Sequence, residues 1–224
     1  MDNEQAGKIL DSIFDRVAEG IAPMESPQEL ALKYKSKYPG LSVDEIALKL
    51  VACEGRKNFT TGFLTGIGGI ITLPLAISAS LLSSWLIQAR LVSAVAILYG
   101  HNIKDEKIRT LMKLALTGDA VKEILKGAGV KIVNSISAAL LIKLPATVFI
   151  EINKRIGFQV LAKLTQRSAS TFLKVVPVAG GIFSGGFDYY TTVKIGKTAI
   201  RIFSDPQNMI IDEEEADENS AINC

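Results

Sequence analysis

Hydrophobic and polar positions alternate along this chain with a period near 3.6 residues, and that period predicts helices. Ile9, Leu10, Ile13, Phe14, Val17 and Ile21 share one face of a first helix over residues 3–20, ended by Gly20 and Pro23. Ser26-Pro27-Gln28-Glu29 combines a capping serine, a first-turn proline and a glutamate three residues on. It opens a second helix that ends near Tyr38-Pro39-Gly40. Ser42-Val43-Asp44-Glu45 repeats the box, with Leu41 and Ile46 placed as a hydrophobic staple, and starts a third helix toward Lys57.

From Asn58 to Ala89 no residue is charged, a length sufficient for a membrane span of about 20 residues. Pro74 splits this stretch. Gly62, Gly66 and Gly69 precede the proline, and a helix apolar nearly all round follows it to Tyr99, stopped by Gly100-His101-Asn102. Such a helix belongs in the centre of a bundle or in lipid. Residues 105–117 read as an amphipathic helix capped by Asp105; Gly118-Asp119 breaks it, and a short helix follows to Lys126. After Gly127 and Gly129 comes a segment over 130–143. Pro145 then opens a helix toward Leu164 that Lys154-Arg155 and Gly157 interrupt. A second glycine-rich apolar stretch, residues 174–203, is entered at Pro177 and contains Gly181 and Gly185. No period-two strand pattern stands out. The expected fold class is all-α, a multi-helix bundle with two glycine-rich apolar helical hairpins.

Gly62 with Gly66, and Gly181 with Gly185, lie four residues apart, which strips side chains from one helix face and lets backbones approach. Glycine inside a helix costs about 1 kcal/mol relative to alanine, so these positions imply tight packing or a need to flex. Three settings accommodate them: the core of a soluble bundle, a permanent membrane insertion, or a soluble form that docks on a membrane. Gly62, Gly66, Gly69, Pro74, Trp85, Pro177, Gly181 and Gly185 are therefore the candidate packing or membrane-contact residues.

Composition narrows the function classes. Of 224 residues 48% are hydrophobic and mean hydropathy is +0.29, which favours a large core or membrane contact. A net charge of +2 and sparse aromatics exclude a nucleic-acid surface. One histidine and two separated cysteines, Cys53 and Cys224, build no metal cluster and no disulfide framework, and read as free thiols in a reducing compartment. The polar start Met1-Asp2-Asn3-Glu4-Gln5 lacks an apolar core, so no secretory signal peptide is expected. Residues 212–218 form an acidic run expected to be disordered.

Catalytic and cofactor motifs are weak. Gly196-Lys197-Thr198 supplies the end of a phosphate loop, but its first glycine would fall on Thr191 and no strand precedes it. His101 follows a helix-ending glycine with no nucleophile beside it and reads as a cap or loop residue. No cofactor and no catalytic residue is expected. The candidate site is a set of charges in apolar surroundings, Arg90, Asp119 and Asp188. A lone buried charge needs a partner, and Arg90 is expected to pair with Asp188 or Asp119 and fix the register of the hairpins.

Four blocks resemble the EcsC family, bacterial helical proteins named for a gene beside an ABC transporter. Residues 86–101 (LIQARLVSAVAILYGH) resemble its central helix, which also ends in Tyr-Gly. Residues 116–126 (LTGDAVKEILK) and 152–158 (INKRIGF) resemble the next two, and residues 176–199 resemble the closing signature. The resemblance covers roughly 50–204 and implies a bacterial, membrane-linked helical protein without assigned catalytic residues. The chain then divides into N-terminal amphipathic helices (1–57), an EcsC-like helical core (58–204) and an acidic tail (205–224). The expected function is a non-enzymatic membrane-associated accessory protein. It would be cytoplasmic, peripheral to or inserted in the membrane, and partnered by membrane lipids, a membrane protein or copies of itself through the glycine faces. The alternatives are a secreted bacterial effector acting on target membranes, with the acidic tail as secretion signal, and a lipid-acting enzyme using Asp119, Asp188 or His101 as acid or base.

Overall fold

A computed structural model describes residues 3–22, 24–60, 79–132, 136–170 and 179–204, the side chains of residues 3, 57–60, 79–81, 163–170 and 179–188 excepted. Every regular element among them is helical: α1 (Asn3–Glu19), α2 (Pro27–Lys37), α3 (Val43–Thr60), α4 (Ala79–Leu98), α5 (Glu106–Ala115), a 3-10 turn (Gly118–Ala120) leading into α6 (Val121–Gly127), α7 (Ala138–Leu141), α8 (Ala146–Ser170) and α9 (Ala179–Phe203).

Local chemistry sets the early boundaries. Glu29 accepts hydrogen bonds from the amide and hydroxyl of Ser26 at 2.8 and 2.9 Å, and its own amide donates to the Ser26 hydroxyl, closing a capping box. Ser42 and Glu45 form the same box, both Ser42 donors lying 2.7 Å from the carboxylate. Asp105 caps α5 by accepting from the amides of Lys107 and Ile108. Gly20, Gly100, Gly118 and Gly129 take left-handed φ values between 63° and 85° at helix ends, where a side chain would be strained.

The apolar helix α4 is the hub. Leu86, Ala89, Leu91, Val92, Ala94, Val95 and Ala96 are almost completely buried, because α1, α2, α3, α5 and α9 surround it. Trp85 belongs to the same core, beside Leu10, Leu116 and Val160. Its indole therefore packs inside the bundle. Helices from the 1–57 and 58–204 stretches contribute to one continuous hydrophobic cluster. The closest pairing is α3 against α9, which cross where both lack side chains. A Cβ on Gly196 would fall 2.6 Å from both Val51 methyl carbons, and one on Gly55 would fall 2.9 Å from Val193 Cγ2. Gly196 is thus a packing residue inside a continuous helix.

Three expectations change. Helix α8 runs unbroken through Lys154, Arg155 and Gly157, because Phe149, Ile152, Ile156 and Val160 keep a buried stripe in register across them. The second glycine-rich stretch is a single 25-residue helix over its described part and no hairpin. Gly181 and Gly185 lie within that helix. The first glycine-rich stretch, with Gly62, Gly66, Gly69 and Pro74, lies outside the described residues, as does Pro177. No helix of the described residues is long and apolar enough to cross a membrane. Cys53 is buried in α3 and enters a disulfide, which corrects the expectation of a free thiol there. Cys224 lies outside the described residues.

Candidate functional site

The charges picked out by sequence separate into different places. Arg90 leaves α4 toward α3, where its Nη2 lies 2.6 Å from Glu54 Oε2 and its Nη1 donates to the Glu25 carbonyl at 3.4 Å. Glu54 is 2% exposed, and its other oxygen accepts from the Tyr34 hydroxyl at 3.3 Å. Burial first, and then the adjacent Glu54 carboxylate, push the Tyr34 phenol well above its ordinary range and keep it a neutral donor. Asp119 instead pairs with Lys194 of α9 at the surface, and that hydrogen bond is the main reason the Lys194 pKa rises. The expected pair of Arg90 with Asp119 does not form, and the Asp188 side chain lies outside the described residues. Glu54 was missed because it sits in an ordinary-looking polar position of α3. The signal for it was Arg90 itself, an uncompensated cation in an apolar helix that required an acid on whichever helix packs beside it.

A second buried polar link joins α4 to α9, where Gln88 Nε2 donates to Ser84 and Thr192 hydroxyls at 3.3 and 3.4 Å. A third seam joins α1, α5 and α8: Lys113 lies 2.9 Å from Asp11, Arg109 lies 2.6 Å from Asp15, and Asn153 donates to Thr110 at 3.0 Å. Clefts of about 430 and 530 Å³ flank this seam and share Asp11, Lys113 and Asn153. Their central charges neutralise one another, so the seam reads as a structural joint. His101 is half-buried, its Nε2 lying 3.3 Å from the Phe203 carbonyl and its ring against Phe203. It ties the end of α4 to the end of α9. Among the described residues no group of three His, Cys, Asp or Glu side chains could hold a metal ion.

The stretch from α6 through α8 differs from the rest in what it leaves exposed. Four of the seven large hydrophobic side chains exposed among the described residues lie between positions 132 and 158, namely Ile132, Leu140, Ile150 and Phe158. Ile150, Lys154 and Phe158 follow one another at four-residue intervals, which puts them on one outer face of α8. Lys143, at the α7–α8 junction, is exposed as well. The α6 helix borders the same face across a cleft of about 290 Å³ lined by Glu123, Ile124, Glu151, Lys154, Arg155 and Phe158. Gly127 holds it there, because a Cβ on that residue would overlap the Arg155 guanidinium. Exposed Lys122, Lys126 and Lys131 add positive charge along this edge. The stretch 121–158 contains six basic and two acidic residues.

No family model, no curated protein and no solved structure matches this chain.

Proposed function

We propose that this protein is a non-enzymatic accessory protein that associates peripherally with a membrane through the outer face of α8 and the adjoining α6 and α7. The observation that carries the reading is the coincidence of exposed Leu140, Ile150 and Phe158 with exposed Lys143 and Lys154 on neighbouring elements. Isolated exposed apolar side chains are ordinary, whereas a group of them rimmed by polar, mostly basic side chains marks an interaction surface. Lysines near an anionic bilayer contribute about 1 kcal/mol each, and inserted apolar side chains add to that. Attachment by a helix face is also in keeping with the absence of a spanning helix among the described residues. The four blocks that resemble the EcsC family point to a membrane-linked role as well.

Vesicle flotation tests the proposal. The protein is expected to float with vesicles containing a third phosphatidylglycerol and to stay behind with pure phosphatidylcholine. Lys143→Glu with Lys154→Glu should abolish the difference. Failure to float with any lipid composition would overturn the reading.

A further inference from the structure

The seam between α1, α5 and α8 leaves one cation over. Asp11 and Asp15 neutralise Lys113 and Arg109, but no carboxylate among the described residues pairs with Lys107. The half-buried Lys107 ammonium meets only neutral groups. These are the Ile142 carbonyl at 2.6 Å, the Leu144 carbonyl at 3.4 Å and the Phe149 ring, whose centroid lies 5.2 Å from the nitrogen. Glu106 borders the same cleft and forms no ion pair with it. An ammonium drawn partly out of water without a counter-ion favours an anion beside it.

Two further polar groups of this cleft have capacity left. Lys113 is 8% exposed, and its ammonium, a triple donor, has a single acceptor in the Asp11 carboxylate at 2.9 Å. Asn153 Nδ2 donates to the Thr110 hydroxyl and the Phe149 carbonyl at 3.0 and 3.1 Å. The Thr110 hydroxyl gives its own proton to the Glu106 carbonyl, which fixes the orientation of the Asn153 amide. Asn153 Oδ1 then accepts nothing among the described residues. Polar groups in such surroundings are nearly always satisfied, so these point to polar atoms of a ligand. The cleft measures about 430 Å³, within the range of small-molecule sites, and Phe149 and Ile150 form an apolar wall on its α8 side.

We infer that this cleft receives the headgroup of an anionic lipid whose phosphodiester carries a polyhydroxy alcohol, phosphatidylglycerol being the simplest. The phosphate pairs with Lys107. The headgroup hydroxyls accept from Lys113 and donate to Asn153 Oδ1. Asp11 already neutralises Lys113, so that position takes a hydroxyl in preference to a second negative charge. The acyl chains leave over Ile150, which stands on the outer face of α8 and is 68% exposed. The inference deepens the membrane reading and rests on it for the source of the ligand.

Calorimetric titration of the full chain with soluble short-chain lipids below their micelle concentration tests this. Dihexanoyl-phosphatidylglycerol should bind. Dihexanoyl-phosphatidylmethanol, equally anionic but without headgroup hydroxyls, should bind about tenfold more weakly, as should inorganic phosphate. Dihexanoyl-phosphatidylcholine should give no heat of binding. Lys107→Gln should weaken phosphatidylglycerol binding about tenfold. Ala146→Phe, at an exposed position that lines the cleft, should weaken it as well while leaving every charge in place, so it serves even if Lys107→Gln fails to fold. Equal binding of phosphatidylglycerol and phosphatidylmethanol, inorganic phosphate bound as tightly as the lipid, or undiminished binding by Ala146→Phe each overturn the inference. If the parent still floats with phosphatidylglycerol vesicles in that case, the membrane reading stands without this site. Soluble lipid bound with the expected losses, but no flotation on any vesicle, supports the cleft and overturns the membrane reading instead.

Discussion

Helices α4 and α8 are both long and both rich in apolar residues, yet they use those residues in opposite ways. On α4 the hydrophobic positions run nearly all round, and other helices cover every side of it, so its apolarity is consumed by the core. On α8 the inward stripe of Phe149, Ile152, Ile156 and Val160 is sufficient to dock it on the bundle, and Ile150 and Phe158 remain outside at 68% and 59% exposure. The most hydrophobic helix of the described structure is therefore not the one that meets the surroundings. Surface function is better sought where apolar side chains are left over after packing than where they are densest.

Arg90 gives the sharpest test of the α4 half of this contrast. Arg90→Ala leaves the Glu54 carboxylate buried without its cation and should destabilise the protein by about 3–5 kcal/mol in urea unfolding. Replacing both residues with apolar ones of similar volume, Arg90→Met with Glu54→Leu, should recover most of that loss. On α8, Lys154→Ala should change stability by less than about 0.5 kcal/mol, because the ammonium is exposed. A large effect at Lys154 and a small one at Arg90 would invert the comparison.

Gly196 comes next. Gly196→Ala forces a Cβ against the Val51 methyls and should cost about 2 kcal/mol despite the better helix propensity of alanine. Val51→Ala in the same chain should return part of it, giving a measurable coupling energy in a double-mutant cycle.

A smaller effect belongs to the caps. The hydrogen bonds from Ser42, side chain first and then backbone, hold Glu45 below the ordinary glutamate range. A carboxylate with a depressed folded-state pKa contributes stability that is present above its unfolded pKa and lost as pH falls through the folded one. The stability gap between the parent and Ser42→Ala should therefore be open near neutral pH and close as the pH falls through the folded-state pKa of Glu45. A gap independent of pH would assign the loss to the hydroxyl alone.

These comparisons also mark what a sequence can and cannot convey. The helices from α1 to α5 were legible because serine boxes, Asp105 and left-handed glycines act within a few residues of where they stand. The continuity of α8 was obscured by Lys154, Arg155 and Gly157, although Ile152, Ile156 and Val160 carry the buried period straight across them. The partner of Arg90 depends on which helix packs beside α4, a non-local fact. Gly55 and Gly196, unlike the four-residue glycine pairs, announce themselves only when two distant helices cross. Ile150 and Phe158 look like further core residues in the pattern, and their exposure becomes visible only once α1, α5 and α6 have taken the other side of α8.

The contrast between the two helices comes down to whether Ile150 and Phe158 serve binding and not folding. The most direct measurement is vesicle flotation of the Ile150→Ser, Phe158→Ser double variant after its thermal unfolding has been matched to the parent. An unchanged melting temperature together with loss of flotation on phosphatidylglycerol vesicles is the predicted result. Flotation equal to the parent, or unfolding shifted by many degrees, would contradict it.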